Sequence, residues 1–146
     1  MSSAFIDTNV IVKYFAGFEE ARRLLEPVLA GELEGYINVV VYSEVLFTVL
    51  RLLTGRNAYR LKGDPGLVSR VAREKLRDYF EFLEVYFHEL EVTSEVKRLA
   101  FEVMRDYGLL PNDALIAATC RYYGIETVVT FDEDFERIPW LRVKRA

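Results

Sequence analysis

Short β-prone apolar runs alternate with stretches carrying the 3.6-residue apolar period of a helix, and this alternation leaves the chain few architectures. The runs are SSAFI (2–6), EGYINVVV (34–41), HELEV (88–92) and ETVVTF (126–131), with WLRVKR (140–145) a candidate fifth. After the first run, DTNVIVKYF turns into a helix. Ala21, Leu24, Leu25, Val28 and Leu29 keep helical spacing up to Gly31. YSEVLFTVLRLL reads as a helix starting near Ser43, a suitable N-cap, which puts Glu44 in its first turn. TGRNAYRLKGDPG (54–66) reads as a loop or hinge. From Val68 to Phe87 the apolar positions follow one face of a long helix, and Val96, Leu99, Ala100, Val103 and Tyr107 mark another, stopped by Gly108. PNDALIAATCRYYG is a helix opened by Pro111 and ended by Gly124; its nearly continuous apolar run predicts burial against a sheet. Strands alternating with helices in this way predict an α/β fold with a mostly parallel central sheet, helices on both faces and right-handed crossovers.

The 146 residues fit a single domain spanning 1–146, large enough for a core without staples. The lone Cys120 excludes an internal disulfide and reads as a small buried apolar residue. No apolar stretch is long enough to span a bilayer, and the N-terminus lacks the basic start and apolar run of a signal peptide, so a cytoplasmic location is expected. A net charge of −4 argues, taken alone, against a nucleic-acid partner. Its distribution argues otherwise. Between Arg51 and Arg77, eight basic residues stand against Asp64 and Glu74, an excess of six positive charges that leaves the rest of the chain at −10. A basic loop–helix segment is attached to an acidic body.

In open parallel sheets, ligands bind at the carboxyl ends of the strands. Four acids fall at that edge: Asp7 directly after the first strand, Glu44 after the second, Asp113 in the first turn of the helix opened by Pro111, and Asp132 after the fourth. Singly, each has a plain explanation as a helix cap, a turn residue or a complement to a helix dipole. Together they repel: at about 5 Å and an effective dielectric of about 20, each pair costs roughly 3 kcal/mol. Protons or cations must neutralise such a cluster. The only imidazole, His88, reads as a surface or packing residue, so a zinc site rich in His or Cys is not expected. An all-oxygen set suits Mg²⁺ or Mn²⁺, ions that can clamp an in-line displacement at phosphorus. No Ser–His–Asp or Cys–His set and no Gly-rich phosphate loop is present.

FIDTNVIV at the first strand, YSEVL after the second, LPNDALIAATCRYYG and VVTFDEDF together resemble the PIN-domain family, of the VapC-like toxin type. The resemblance covers nearly the whole chain in the family's order. It implies a three-layer α/β/α sandwich and a metal-dependent ribonuclease with its acidic centre at Asp7, Glu44, Asp113 and Asp132, and Asp134 as second choice for the last position. It also implies that Thr8, Asn9 and Thr130 support the acids by hydrogen bonds, and that the partners are RNA, a cognate antitoxin and a second copy of the chain. Arg51, Arg56, Arg60 and Lys62 are candidate RNA contacts; the basic segment can equally serve a dimer, an antitoxin or solvent alone. Two other readings stay open. A haloacid-dehalogenase-type phosphatase also opens with a strand and an aspartate, but needs an acid where this chain has Asn9. A catalytically inactive module of the same fold would only bind RNA or a partner.

Overall fold

The computed structural model describes residues 2–145; the two terminal residues of the expected 1–146 unit lie outside it. Five strands form one sheet in the order β3-β2-β1-β4-β5: β1 (Ser2–Ile6), β2 (Leu33–Asn38), β3 (His88–Leu90), β4 (Thr127–Val129) and β5 (Arg142–Lys144). All four pairings are parallel, so the expectation of a mostly parallel sheet is met in full. The helices are α1 (Thr8–Phe15), α2 (Glu19–Leu29), α3 (Val39–Thr54), α4 (Ala58–Lys62), α5 (Pro65–Val71), α6 (Arg77–Tyr86), α7 (Ser94–Tyr107) and α8 (Pro111–Tyr123). With the right-handed crossovers that parallel strands require, the strand order places α1–α6 on one face of the sheet and α7 and α8 on the other. Phe5 and Ile6 of β1, Ile37 of β2 and Val128 of β4 are buried between the layers with Val10, Ile11, Val41, Val45 and Ile116. Ala114, Ala117, Ala118 and Cys120 give α8 a small, fully buried face, as its apolar run predicts.

One boundary differs in a way that matters for the site. Val39–Val41 reads as strand from β-branched propensity, yet the second strand stops at Asn38 and α3 begins at once. Asn38 is fully buried, and its side-chain oxygen accepts from the Val40 and Val41 amides at 3.0 and 3.2 Å. Its amide donates to Thr119 Oγ1 at 2.9 Å, and Thr119 donates in turn to the Leu115 carbonyl at 2.7 Å. A satisfied buried cap outweighs the weak strand preference of three valines. Ser43 is therefore not the N-cap, and Glu44 lies in the second turn of α3, not its first.

The expected loop at 54–66 also holds structure. Asn57 accepts from the Arg60 amide at 3.0 Å and caps α4; Asp64 accepts from the Leu67 amide at 3.1 Å and caps α5. The long helix thus starts at Pro65 rather than Val68. It runs to Tyr86 through one wider turn, Ala72–Leu76, in which the hydrogen bonds span five residues. Tyr79 and Phe82 of this run pack on Phe15 of α1, with ring centroids 4.8 and 5.1 Å apart.

Candidate metal centre

The chain reverses direction across the sheet between β1 and β4. The β1 crossover leads to β2 on one side, while β4 arrives from the far edge to lie on the other. A crevice opens at the carboxyl ends of two strands that diverge in this way. Here it is a cleft of about 350 Å³ lined by Asp7, Thr8, Asn9, Val12, Lys13, Glu44, Thr48, Asp113 and Asp132. The four acids, separated by as many as 125 positions in sequence, share its wall.

Asp7 is the most buried of them, at 5% exposure. Its backbone amide donates to the Val129 carbonyl at 3.0 Å, continuing the β1–β4 seam one residue beyond the strand. One carboxylate oxygen accepts from the Thr8 amide at 2.7 Å, which caps α1; the other accepts from Thr130 Oγ1 at 2.7 Å. The plain explanation of Asp7 as a helix cap therefore holds alongside its place in the cluster.

Thr130 is fully buried and uses its hydroxyl completely. It donates to Asp7 and accepts from the Asp132 amide at 2.9 Å and from Asn9 Nδ2 at 3.4 Å. One donor and two acceptor positions are all that a hydroxyl has. Asn9 is committed as well, because its Oδ1 accepts from the Phe131 amide at 3.2 Å. This amide joins α1 to the segment after β4 and offers no acid at the position where a phosphatase of the alternative type needs one.

Glu44 accepts from Thr8 Oγ1 at 2.9 Å and from Asn112 Nδ2 at 3.2 Å, so α1, α3 and α8 are tied together at the cleft. Asp113 is the third residue of α8. Asp132 caps a short 3-10 turn, Glu133–Arg137, by accepting from the Asp134 amide at 2.8 Å. One carboxylate oxygen from each of Asp113, Asp132 and Asp134 falls within 4.8 Å of the others. Asp134 does not line the cleft, and its carboxylate also pairs with Arg137 at 3.2 Å. Of these two, only Asp132 lines the cleft, while Asp134 stands within the carboxylate cluster beside it.

Electrostatics register the crowding. Burial pushes the Asp7 carboxyl up to about 6, with the charges of Glu44 and Asp132 adding to the rise and the bonds from Thr130 and Thr8 opposing it. Burial also raises Asp113, to about 7, reinforced by repulsion from Asp7, Asp132, Glu44 and Asp134. Asp7 and Asp113 thus resist ionisation, and a cluster that offers carboxylate oxygens fits a hard divalent cation, which would replace their protons and relieve the repulsion.

Lys13, Thr48 and Asn112 are parts of this site that sequence reasoning missed. Two lie one helical turn from a residue it did identify, Lys13 four after Asn9 and Thr48 four after Glu44; Asn112 is adjacent to Asp113 in the opening turn of α8 and was open to notice only by that adjacency. Cys120 and His88 behave as expected. Burial pushes the Cys120 thiol up, leaving it inert, and His88 starts β3 at the surface with its ring 5.2 Å from that of Tyr36.

The basic candidates sit elsewhere. Arg56, Arg60 and Lys62 border a separate surface hollow with Tyr59, Gly63 and Asp64, which shares no residue with the acidic cleft. Arg56 pairs with Asp64 at 2.8 Å, and Arg51 lies 5.4 Å over the Phe47 ring. Among the described residues, no helix is long and apolar enough to cross a membrane.

Residues 4–141 match the family model of the PIN domain. Ribonuclease VapC2 of Methanocaldococcus jannaschii is 34% identical over 139 residues, covering 95% of this chain and 91% of the relative. Ribonuclease VapC6 of the same organism is 37% identical, covering 97% and 96%. Among solved structures, DNA-bound VapBC from Salmonella typhimurium shares the fold with a TM-score of 0.68 at 18% identity, covering 99% of this chain and 98% of that one.

Proposed function

The chain belongs to the PIN-domain family, and on that premise we propose that it is a metal-dependent endoribonuclease, the toxin of a type II toxin–antitoxin pair. The convergence of Asp7, Glu44, Asp113 and Asp132 on one cleft at the switch point of the sheet carries this reading. The ribonuclease names of two relatives at 34% and 37% identity support RNA as substrate. In this reading the protein works in the cytoplasm, pairs with a second copy of itself, and is held inactive by a cognate antitoxin.

Asp7, Glu44, Asp113 and Asp132 would hold Mg²⁺ or Mn²⁺, with Asp134 the second choice beside Asp132. A divalent ion bound there supplies Lewis acidity and an activated water for phosphodiester hydrolysis. The chain's own groups prepare the place for it. Thr8 and Thr130 aim the Asp7 and Glu44 carboxylates by hydrogen bonds, and Asn9 fixes the segment that carries Asp132. Such outer partners set ligand orientation and basicity. Arg51, Arg56, Arg60 and Lys62 would hold RNA backbone away from the cut.

Purified protein should cut single-stranded RNA when Mg²⁺ or Mn²⁺ is present and stop when EDTA is added. Asp7→Asn should reduce cleavage to background. Undiminished cleavage by that variant would remove Asp7 from the centre and the site assignment with it.

A further inference from the structure

Lys13 is the one basic side chain in the wall of the acidic cleft. It forms no ion pair among the described residues, although carboxylates line the same cleft. Two aromatic faces hold it instead: its ammonium lies 4.5 Å from the centroid of Phe131 and 5.8 Å from that of Phe18. Both residues are held at the backbone. The Phe131 amide is bonded to Asn9, and the Phe18 amide donates to the Lys13 carbonyl at 3.0 Å, folding the chain back over the end of α1. Cation–π attraction of this kind positions an ammonium without neutralising it.

A cation kept off the carboxylates leaves them free for a metal and keeps its own charge for another anion. It stands at the rim of a cleft whose proposed substrate is a polyanion. We propose that Lys13 binds a backbone phosphate of the RNA adjacent to the one being cut, with Phe131 and Phe18 as the platform that holds the ammonium ready. The inference rests on the ribonuclease reading and adds a substrate-binding residue to it. A lysine serves phosphate as a point charge, whereas an arginine in its place can still reach the same group.

The test compares wild type, Lys13→Met and Lys13→Arg, with cleavage of a labelled single-stranded RNA of mixed sequence in Mn²⁺ and binding of the same RNA in EDTA. Lys13 is exposed on α1, so melting temperature checks that both variants fold. Lys13→Met should raise KM and Kd by about 10-fold or more and leave kcat little changed. It should also flatten the slope of log Kd against log salt by about 0.7, the share of one phosphate contact on a single strand. Lys13→Arg should retain most of the affinity and the slope. Calorimetric Mn²⁺ affinity should not weaken in Lys13→Met, since removing a cation cannot disfavour a second one. Unchanged KM, Kd and slope in an enzyme whose wild type cuts RNA would overturn the Lys13 inference alone, as would a loss confined to kcat or to Mn²⁺ affinity. A wild type that neither binds nor cuts RNA would overturn the ribonuclease reading and the inference together.

Discussion

A carboxyl group with a raised pKa makes folding depend on pH in a definite direction. Asp7, at about 6, and Asp113, at about 7, keep their protons in the folded chain where the unfolded chain, with ordinary values near 4, has lost them. Between about pH 4 and 7 the folded state therefore binds more protons, and the stability of the metal-free protein falls as pH rises. For Asp7 the loss across that window is about 3 kcal/mol. Melting of the EDTA-treated protein should show this fall, and Asp7→Asn should flatten it; a wild-type melting temperature that climbs with pH through the window would contradict it. Mn²⁺ should raise the melting temperature more at pH 8 than at pH 5, because metal and proton compete for the same oxygens. Asp64, lowered by the Leu67 amide and then by Arg56, and Asp106, lowered by Arg105, act below the window and in the opposite sense. Thr130 ties these residues together. Thr130→Val removes the donor to Asp7 and the acceptor for the Asp132 amide, so activity should fall by about 10–100-fold. Stability should fall by about 1–3 kcal/mol, read by denaturant titration. Thr130 itself was visible in the sequence as a small polar residue of the last motif. The family resemblance already implied that it supports the acids by hydrogen bonds; that it joins Asp7 and Asn9 to the segment carrying Asp132 was not legible, because those two contacts span more than 120 positions.

At the scale of elements, the strand–helix alternation made the parallel sheet and the order of its helices legible, since both follow from local period and from the need to cover two faces. The start of α3 was not legible. Its cap, Asn38, is satisfied by Thr119 from the far side of the sheet, and no local pattern in NVVVYS announces that partner. The consequence for the site is angular: starting α3 at Val39 decides which face Glu44 presents, and that face meets Thr8 and Asn112. Asn38→Ala should therefore cost about 1–2 kcal/mol and lower activity with it, checked by melting and cleavage on one preparation. Gly35 of β2 tests packing away from the cleft. A Cβ there would lie 2.9 Å from Val28 Cγ1, so that something must shift, and 3.2 Å from Phe87 Cδ1, a tight contact. Gly35→Val should destabilise by about 1–3 kcal/mol by prying α2 from the sheet, and a variant as stable as wild type would refute that close approach.

For the whole molecule, charge is divided: a basic segment at 51–77 belongs to an otherwise acidic chain, four of whose acids line one cleft. The structure keeps the two apart, with α3 running from Glu44 towards the Arg56–Asp64 hollow. An RNA strand engaging both would have to follow that helix. Replacing Arg56, Arg60 and Lys62 together by Gln should lower the salt slope of RNA binding by about 2, and an unchanged slope would return the segment to a structural role. The charge segregation was plain from the sequence; the distance between segment and cleft was not, since it depends on α3 continuing to Thr54 and on α4 forming where only a loop was expected.

The seam between β1 and β4 has a consequence in time. Asp7 is synthesised more than 120 residues before its partner Thr130 and the neighbouring Asp132, and β4 must add to the free edge of β1 before β5 can join it. Until then the cleft has one wall. A nascent or truncated chain that stops short of β4 carries three of the four acids but lacks Thr130 to fix Asp7 and Asp132 to complete the cleft, so on this reading the capacity to cut RNA arrives only once β4 has been made.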